Sequence, residues 1–270
     1  MPPINFDNLF LQADNLRNNG QVDEAIKAYL AIAGMARDAK NIPVVARAVH
    51  MAGVSCKESV ADANSSYYRD AKKYFEAAII LFKQLNDAAG LGAIYRDAAI
   101  TADYASDAPV ALENFQKSIE ILNKVKDEVP AQLGITLVKL GLHYFKHDDL
   151  TAAEKFVYRG IQYLRQDPTA GFFNATALYD RARILYKQDK VTEAFEQAEE
   201  SLSWFQADHG EEEFGRRKAQ LHGLLAVLSQ NLGHNEQAKT HLQEYQRYLS
   251  ALDSLAAKVV EKDLNNLTGQ

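Results

Sequence analysis

One cysteine, Cys56, is the entire thiol content of a 270-residue chain. No disulfide can form within the chain, and cysteine usage sets no limit on compartment. Proline is scarce, at six residues, and alanine is abundant, a combination that favours helix over turn-rich or extended folds. No run of about 18 apolar residues occurs, so a transmembrane helix is not expected. The stretch Met1–Phe10 lacks the basic start and apolar run of a secretory signal, which makes the cytoplasm the expected location. No segment sustains period-two alternation, so no strands are expected. A basic excess is also missing: the formal charge is −6, whereas a general nucleic-acid binder needs a dense basic footprint. The chain has no phosphate loop, no glycine-rich dinucleotide turn and no nucleophile elbow. The expectation is a protein without catalytic residues or cofactor.

What the sequence does contain is a helical pattern that returns. In Tyr67–Asp87, the residues Ala71, Phe75, Ala78, Phe82 and Leu85 fall on one face of a 3.6-residue helix, while Lys72, Lys73, Glu76 and Lys83 fall mostly off it. Within the stripe sits a triplet of small, aromatic and small residues. A small residue lets another helix approach closely, and the aromatic fills the space beside it. Ala111–Phe115–Ser118 repeats the triplet whole. Ala25–Tyr29 has its first two members, with Ile32 in the third place and Ala33 one position later. Ala153–Val157–Gly160, Ala194–Ala198–Ser201 and Ala238–Leu242–Tyr245 are weaker copies. The leading alanines lie 46, 40, 42, 41 and 44 residues apart. A period of this size marks a stacked array. An array is also free of the size limit that a single core of this length would approach, because each unit packs only on its neighbours.

Turn signals divide the chain into helix pairs over about 5–39, 41–86, 88–126, 130–166, 168–207 and 211–250, read as one domain over 1–270. Asn18-Asn19-Gly20, Ser106-Asp107, His147-Asp148-Asp149, Gln188–Lys190 and Leu232–Asn235 supply the turns within pairs, and Ser106-Asp107 is expected to cap the helix that follows. Pro43, Pro130 and Pro168 suit helix starts. The Ser/Asn-rich stretch Asp62–Ser66 coincides with the longest spacing and is the expected site of an insertion. Glu211-Glu212-Glu213 reads as the acidic first turn of a helix. Starting at the end of the sixth pair, Leu249, Leu252, Ala256, Val259 and Val260 carry an apolar stripe past it into 251–267. It suits a helix that caps the last repeat, or one through which two copies dimerise, leaving monomer and homodimer both open.

Most pairs also carry a small residue twelve positions before the second-helix alanine: Ala13, Ala99, Gly141, Ala182 and Ala226. Leu140-Gly141 followed by Tyr144 in the fourth pair, and Ala-x-x-x-Phe in the second helices of pairs two and three, resemble the tetratricopeptide repeat. The likeness covers nearly all of residues 6–249. Pair one departs from it at Ile32, the insertion breaks the twelve-residue spacing in pair two, and the proline that usually ends the unit is missing from most pairs. The longer period resembles the branch of kinesin light chains, Leu-Gly-Asn-repeat polarity scaffolds, Rap-type peptide-sensing regulators and soluble NSF attachment proteins. The run Leu81–Ile94 is similar to the helix–loop–helix junctions of the polarity scaffolds. The resemblance implies an all-α right-handed superhelical solenoid of six hairpins plus a capping helix, whose first helices line a concave groove for a partner peptide. It implies a non-enzymatic scaffold or adaptor. A ligand-gated sensor of the Rap type and a vesicle-fusion adaptor are the alternatives.

If the register holds, the groove presents Arg96, Asp103 and Tyr104, then Lys139, Leu142 and Lys146, then Tyr179, Arg183, Tyr186 and Lys187. Aromatics and arginine dominate binding hot spots, although lysine and arginine are also common on solvated helix faces. The four cations from Lys139 to Lys187, with tyrosines interleaved on a protein of net negative charge, suit an acidic peptide or a carboxylate-bearing ligand. They would serve a duplex poorly. The basic clamp used by chaperone-tail-binding members is absent, with Phe10 and Asp14 at the matching positions. His143 and His147 share a helix face at metal-ligand spacing, but a histidine at a helix C-terminus is favoured by the dipole alone, and no metal is expected. His222, His234 and His241 have no useful spacing and read as surface residues. Cys56, beside Lys57, reads as a small buried hydrophobe rather than an activated thiol.

Overall fold

Small residues at helical spacing dictate closely approaching helices, and that is the architecture observed. The computed structural model describes residues 4–57, 59–207, 214–252 and 254–268. Glu211-Glu212-Glu213 and the first three residues lie outside them. The described residues form α1 (Phe6–Asn18), α2 (Val22–Asp38), α3 (Ile42–Lys57), α4 (Ser66–Gln84), α5 (Ala88–Tyr104), α6 (Ala108–Asn123), α7 (Pro130–Lys146), α8 (Leu150–Leu164), α9 (Gly171–Lys187), α10 (Val191–Gln206), α11 (Gly215–Asn231), α12 (Asn235–Ala251) and α13 (Ser254–Thr268). A short 3-10 turn, Pro168–Ala170, precedes α9. The fold is an all-α helical repeat, with no strand among the described residues. None of the described helices is long and apolar enough to cross a membrane. The chain divides into two compact units, Met1–Thr136 and Leu137–Gln270.

In the first unit α1 packs with α2, α3 with α4, and α5 with α6. The triplets are the contact residues: Ala25, Tyr29, Ala71, Phe75, Ala78, Ala111, Phe115 and Ser118 are all buried. Aromatics and small residues are complementary here. A Cβ placed on Gly53 of α3 would lie 2.7 Å from the Phe75 ring, and one on Gly92 of α5 would lie 2.5 Å from Leu122. Ser118 Oγ donates to the Gly92 carbonyl at 2.8 Å. The insertion falls between α3 and α4, where the Asp62 carboxylate accepts from the Asn64 amide at 2.7 Å. Asp107 occupies the N-cap position of α6 without a side-chain capping bond. Its carboxylate instead accepts from the Tyr68 hydroxyl at 2.9 Å, tying α4 to the next pair. The capping role expected of Ser106-Asp107 is therefore lost to a longer-range partner.

In the second unit α9 pairs with α10 and α11 with α12. Ala153, Val157, Ala194, Ala198 and Ser201 are buried. Ser201 Oγ donates to the Ala175 carbonyl at 2.7 Å, repeating the Ser118–Gly92 bond at equivalent positions. Gly141 is close-packed against backbone: a Cβ there would lie 2.9 Å from the Ala153 carbonyl oxygen and 2.5 Å from Val157. The sixth pair departs from the pattern. Ala226 is only half-buried, and the close approach is made by Gly223, where a Cβ would lie 3.1 Å from Tyr245 and 3.2 Å from Leu264. Leu242 is 48% exposed, because α13 does not lie along α12 as a next first helix would. It packs mainly on α11. The expected continuous stripe breaks at Leu252, which is extended. Val260 and Leu267 are the side chains that α13 buries among the described residues.

The turns repeat as well. Gly20, Ser106, Asp148, Asp189 and Gly233 all have left-handed backbone (φ 74, 60, 60, 59 and 75°), one in each turn within a pair except the second, where the insertion lies. Glycine has no Cβ penalty in this region, and Asp tolerates it through local hydrogen bonding.

Candidate functional site

Within each unit the candidate first-helix residues are held by ion pairs, hydrogen bonds and ring contacts. In the first unit, Arg96 on α5 donates from Nη1 to Gln132 Oε1 at 2.6 Å, and its Nε lies 3.5 Å from Asp97. Asp97 is 8% exposed and meets His50 Nε2 of α3 at 2.9 Å. Burial opposes its charge, but the Arg96 guanidinium and the His50 hydrogen bond hold its carboxyl well below the usual carboxylate range. Arg96 is thus braced against two neighbours. Tyr104, at the end of α5, is 51% exposed. The positions that would form a chaperone-tail clamp are spent on packing. Phe10 is buried under the Arg47 guanidinium at 3.9 Å, and Asp14 accepts from the Tyr29 hydroxyl.

In the second unit the candidate residues divide by depth. Lys139 is half-buried, and Lys146 and Lys187 are exposed. Tyr179 is buried, at 4% exposure, within the core shared by α9, α10 and α11, and Tyr186 packs partly buried against the same core. Above Tyr179 lie two guanidinium groups, Arg217 of α11 at 4.6 Å from the ring centroid and Arg183 of α9 at 5.6 Å. Arg183 also lies 5.3 Å over Phe145 of α7 and 3.5 Å from Asp180. Burial pushes the Tyr179 phenol up, and the two arginines pull it back. Tyr179 is therefore a platform for cations rather than an exposed anchor. Arginine stacks well in this way because its guanidinium is planar and weakly hydrated, with its edge left to pair with carboxylates. The structure brings Phe145, Tyr179, Arg183 and Arg217 together. Arg217 was not foreseen, since it lies outside the helix positions projected from the repeat, in the pair whose register slips.

The histidines of the sixth pair are a correction. His222 is buried, not on the surface, and its Nδ1 lies 3.1 Å from Nδ1 of His241 across α11 and α12. His241 Nε2 lies 3.6 Å from Glu199. Burial, and then the neighbouring His241 ring, push His222 down to about 4. These rings line a cleft of about 620 Å³ together with Glu199, Lys218, Arg247 and Tyr248. A separation of nineteen residues carries no helical signal, so only packing reveals the pair. His234 is exposed. The rings of His143 and His147 lie 4.6 Å apart on α7, with His143 buried. Cys56 is fully buried. Desolvation, with Asp70 and Asp23 adding to it, pushes the thiol up to about 12, the opposite of activation by Lys57.

No protein-family model and no curated protein matches the sequence. Solved structures do. BtubC (BKLC) from P. vanneervenii superposes with a TM-score of 0.69 over 93% of this chain and 94% of its own, at 13% identity. A signal-transduction ATPase with a tetratricopeptide repeat sensor, PH0952 from Pyrococcus horikoshii, gives 0.69 over 97% of this chain at 15% identity, although the chain spans only 39% of that larger protein. The apo form of RapI gives 0.62 over 91% of this chain and 97% of its own, at 11% identity. At such identities the likeness is one of fold. Hairpins recurring every 40 to 46 residues, small residues buried at their contacts and these structural neighbours together show that the chain has a tetratricopeptide-like helical repeat fold.

Proposed function

We propose that this chain is a non-enzymatic scaffold that holds an acidic partner peptide against its first-helix faces. The observation that carries the reading is the pair of arginines over Tyr179. Arg183 and Arg217 are half-buried, stacked on aromatic faces, and positioned without the entropy loss that free arginine side chains would suffer on binding. Two such groups form a receptor for carboxylates. Within the second unit Lys139, Lys146 and Lys187 extend positive charge along α7 and α9, and Tyr186 offers further contact area of the kind that dominates interfaces; within the first unit, taken by itself, Arg96 and Tyr104 offer side chains of the same kind. The fold supports the general role of protein–protein interaction scaffold.

The test is charge reversal, with a labelled glutamate-rich peptide as probe and a lysine-rich peptide of equal length as control. Wild type should bind the acidic probe and not the basic one, with affinity falling as salt rises. Arg183→Glu with Lys139→Glu should weaken binding at least tenfold at unchanged helicity. Equal affinity in the double variant would place the peptide elsewhere, around the Asp62–Ser66 insertion or α13.

A further inference from the structure

The first-helix face of the second unit is already occupied. Three side chains of α13 point at it: Val260 and Leu267 are buried, and Leu264 packs beside Val260 against Ala219 and Tyr245. Leu267 enters the core that contains Tyr179, Leu185, Leu221 and Leu224. Two hydrogen bonds fix the register. Gln220 of α11 donates to Asp263 Oδ2 at 2.7 Å, and Lys187 of α9 donates to the Asn266 carbonyl at 3.3 Å. Asp263 lines the same small cavity as Tyr179, together with Gln220 and Leu264. The segment thus sets a carboxylate beside the arginine-capped platform and an apolar edge against α9 and α11.

From this seating we infer that α13 is a self-ligand, and that the partner replacing it is an amphipathic helix with apolar side chains at i, i+4 and i+7 and an acidic residue at i+3. The pattern is that of Val260, Asp263, Leu264 and Leu267. It rests on the reading that this face binds an acidic peptide, and it adds the partner's conformation and spacing. Helix-in-groove recognition uses this i, i+4, i+7 set of anchors. The attachment of α13 is shallow enough to yield. It buries two side chains among the described residues, whereas α11 beneath it buries eight and a glycine. A tethered segment nonetheless competes at an effective concentration in the millimolar range, so it holds the site against weak ligands and gives way to a stronger helix.

The experiment uses the full chain and, as probe, a labelled synthetic peptide of residues 254–268. Wild type should bind it at least tenfold more weakly than the full-length variant Val260→Asp/Leu267→Asp, whose own α13 is displaced. A peptide carrying the same two substitutions should bind neither. If the variant stays folded by circular dichroism and fails to bind the peptide, the inference is wrong. Because that variant could unfold, hydrogen exchange on wild type gives a second reading. Amides of α13 should exchange at least a hundredfold faster than those of α9 and α11, and exchange of α13 only on global unfolding would make it a permanent cap and overturn the proposal. A chain in which Lys187→Cys and Asn266→Cys are joined by a short bismaleimide bridge, long enough to replace the reach of the Lys187 side chain, separates this inference from the functional reading. If the bridged form still binds the glutamate-rich peptide as well as the unbridged form, displacement fails while acidic-peptide binding stands.

Discussion

His222 shows how little of a side chain's role follows from its neighbours in sequence. Read alone it is a polar residue in a helix of mixed composition. In the fold it is 4% exposed and faces His241. Its depressed pKa of about 4 has a defined consequence for stability. Above the ordinary value of about 6.5 the ring is neutral in both folded and unfolded chains and costs nothing. As pH falls through 6.5 toward 4, the unfolded chain takes up a proton that the folded one refuses, so stability falls across that window. The loss should be on the order of 1–2 kcal/mol by pH 5. Urea midpoints at pH 7.5 and pH 5 will check it: His222→Gln should lose distinctly less stability than wild type, and equal losses would refute the account. Asp97 acts in a different window. Its lowered pKa favours the fold above the usual carboxylate range, and that contribution fades only at more acid pH. The repeated Ser118 and Ser201 bonds to first-helix carbonyls are the opposite case to His222. Each serine occupies the third place of its triplet, so its small size was legible, but its hydrogen bond was not.

Helix pairs owe their close approach to positions where only a small residue fits. Ala71 and Ala111 are fully buried, each leading its triplet. Ala71→Leu and Ala111→Leu should each overpack the contact and cost about 1–3 kcal/mol, read as a lower denaturant midpoint. Gly141→Ala should fall in the same range, because one of the atoms it meets is the Ala153 carbonyl oxygen and a backbone atom cannot rotate away. Unchanged midpoints in all three would mean that the repeat register is misplaced. Helix existence and pairing were legible because the 3.6-residue stripe is a local property of each segment. Pair six slipped because its close contact moved from Ala226 to Gly223, under the influence of Tyr245 and Leu264, and the latter comes from α13. The Asp107 cap failed for a related reason. Its carboxylate was within reach of Tyr68, a partner 39 residues earlier, and one acceptor group was drawn away from its helix.

In a repeat fold each pair is stabilised by itself and by its nearest neighbours, so distant substitutions should act independently. Ala71 and Ala194 belong to separate core clusters. The costs of Ala71→Leu and Ala194→Leu should therefore add in the double variant to within about 0.5 kcal/mol, measured by urea unfolding. A larger deviation would show coupling beyond neighbouring pairs. Reading the residues in order was enough to give the helical class, the repeat period, the turns and the place of the insertion, because these depend on spacing along the chain and on residue size. It also singled out Arg183 and Tyr179, through their projected helix positions. It could not give the depth of Tyr179, the arrival of Arg217 above it, the meeting of His222 with His241, or the return of α13 onto α9 and α11. Those features join residues separated by 19 to more than 80 positions. No local periodicity encodes such pairings. They follow from which faces remain uncovered once the helices have packed, a quantity that exists only in three dimensions.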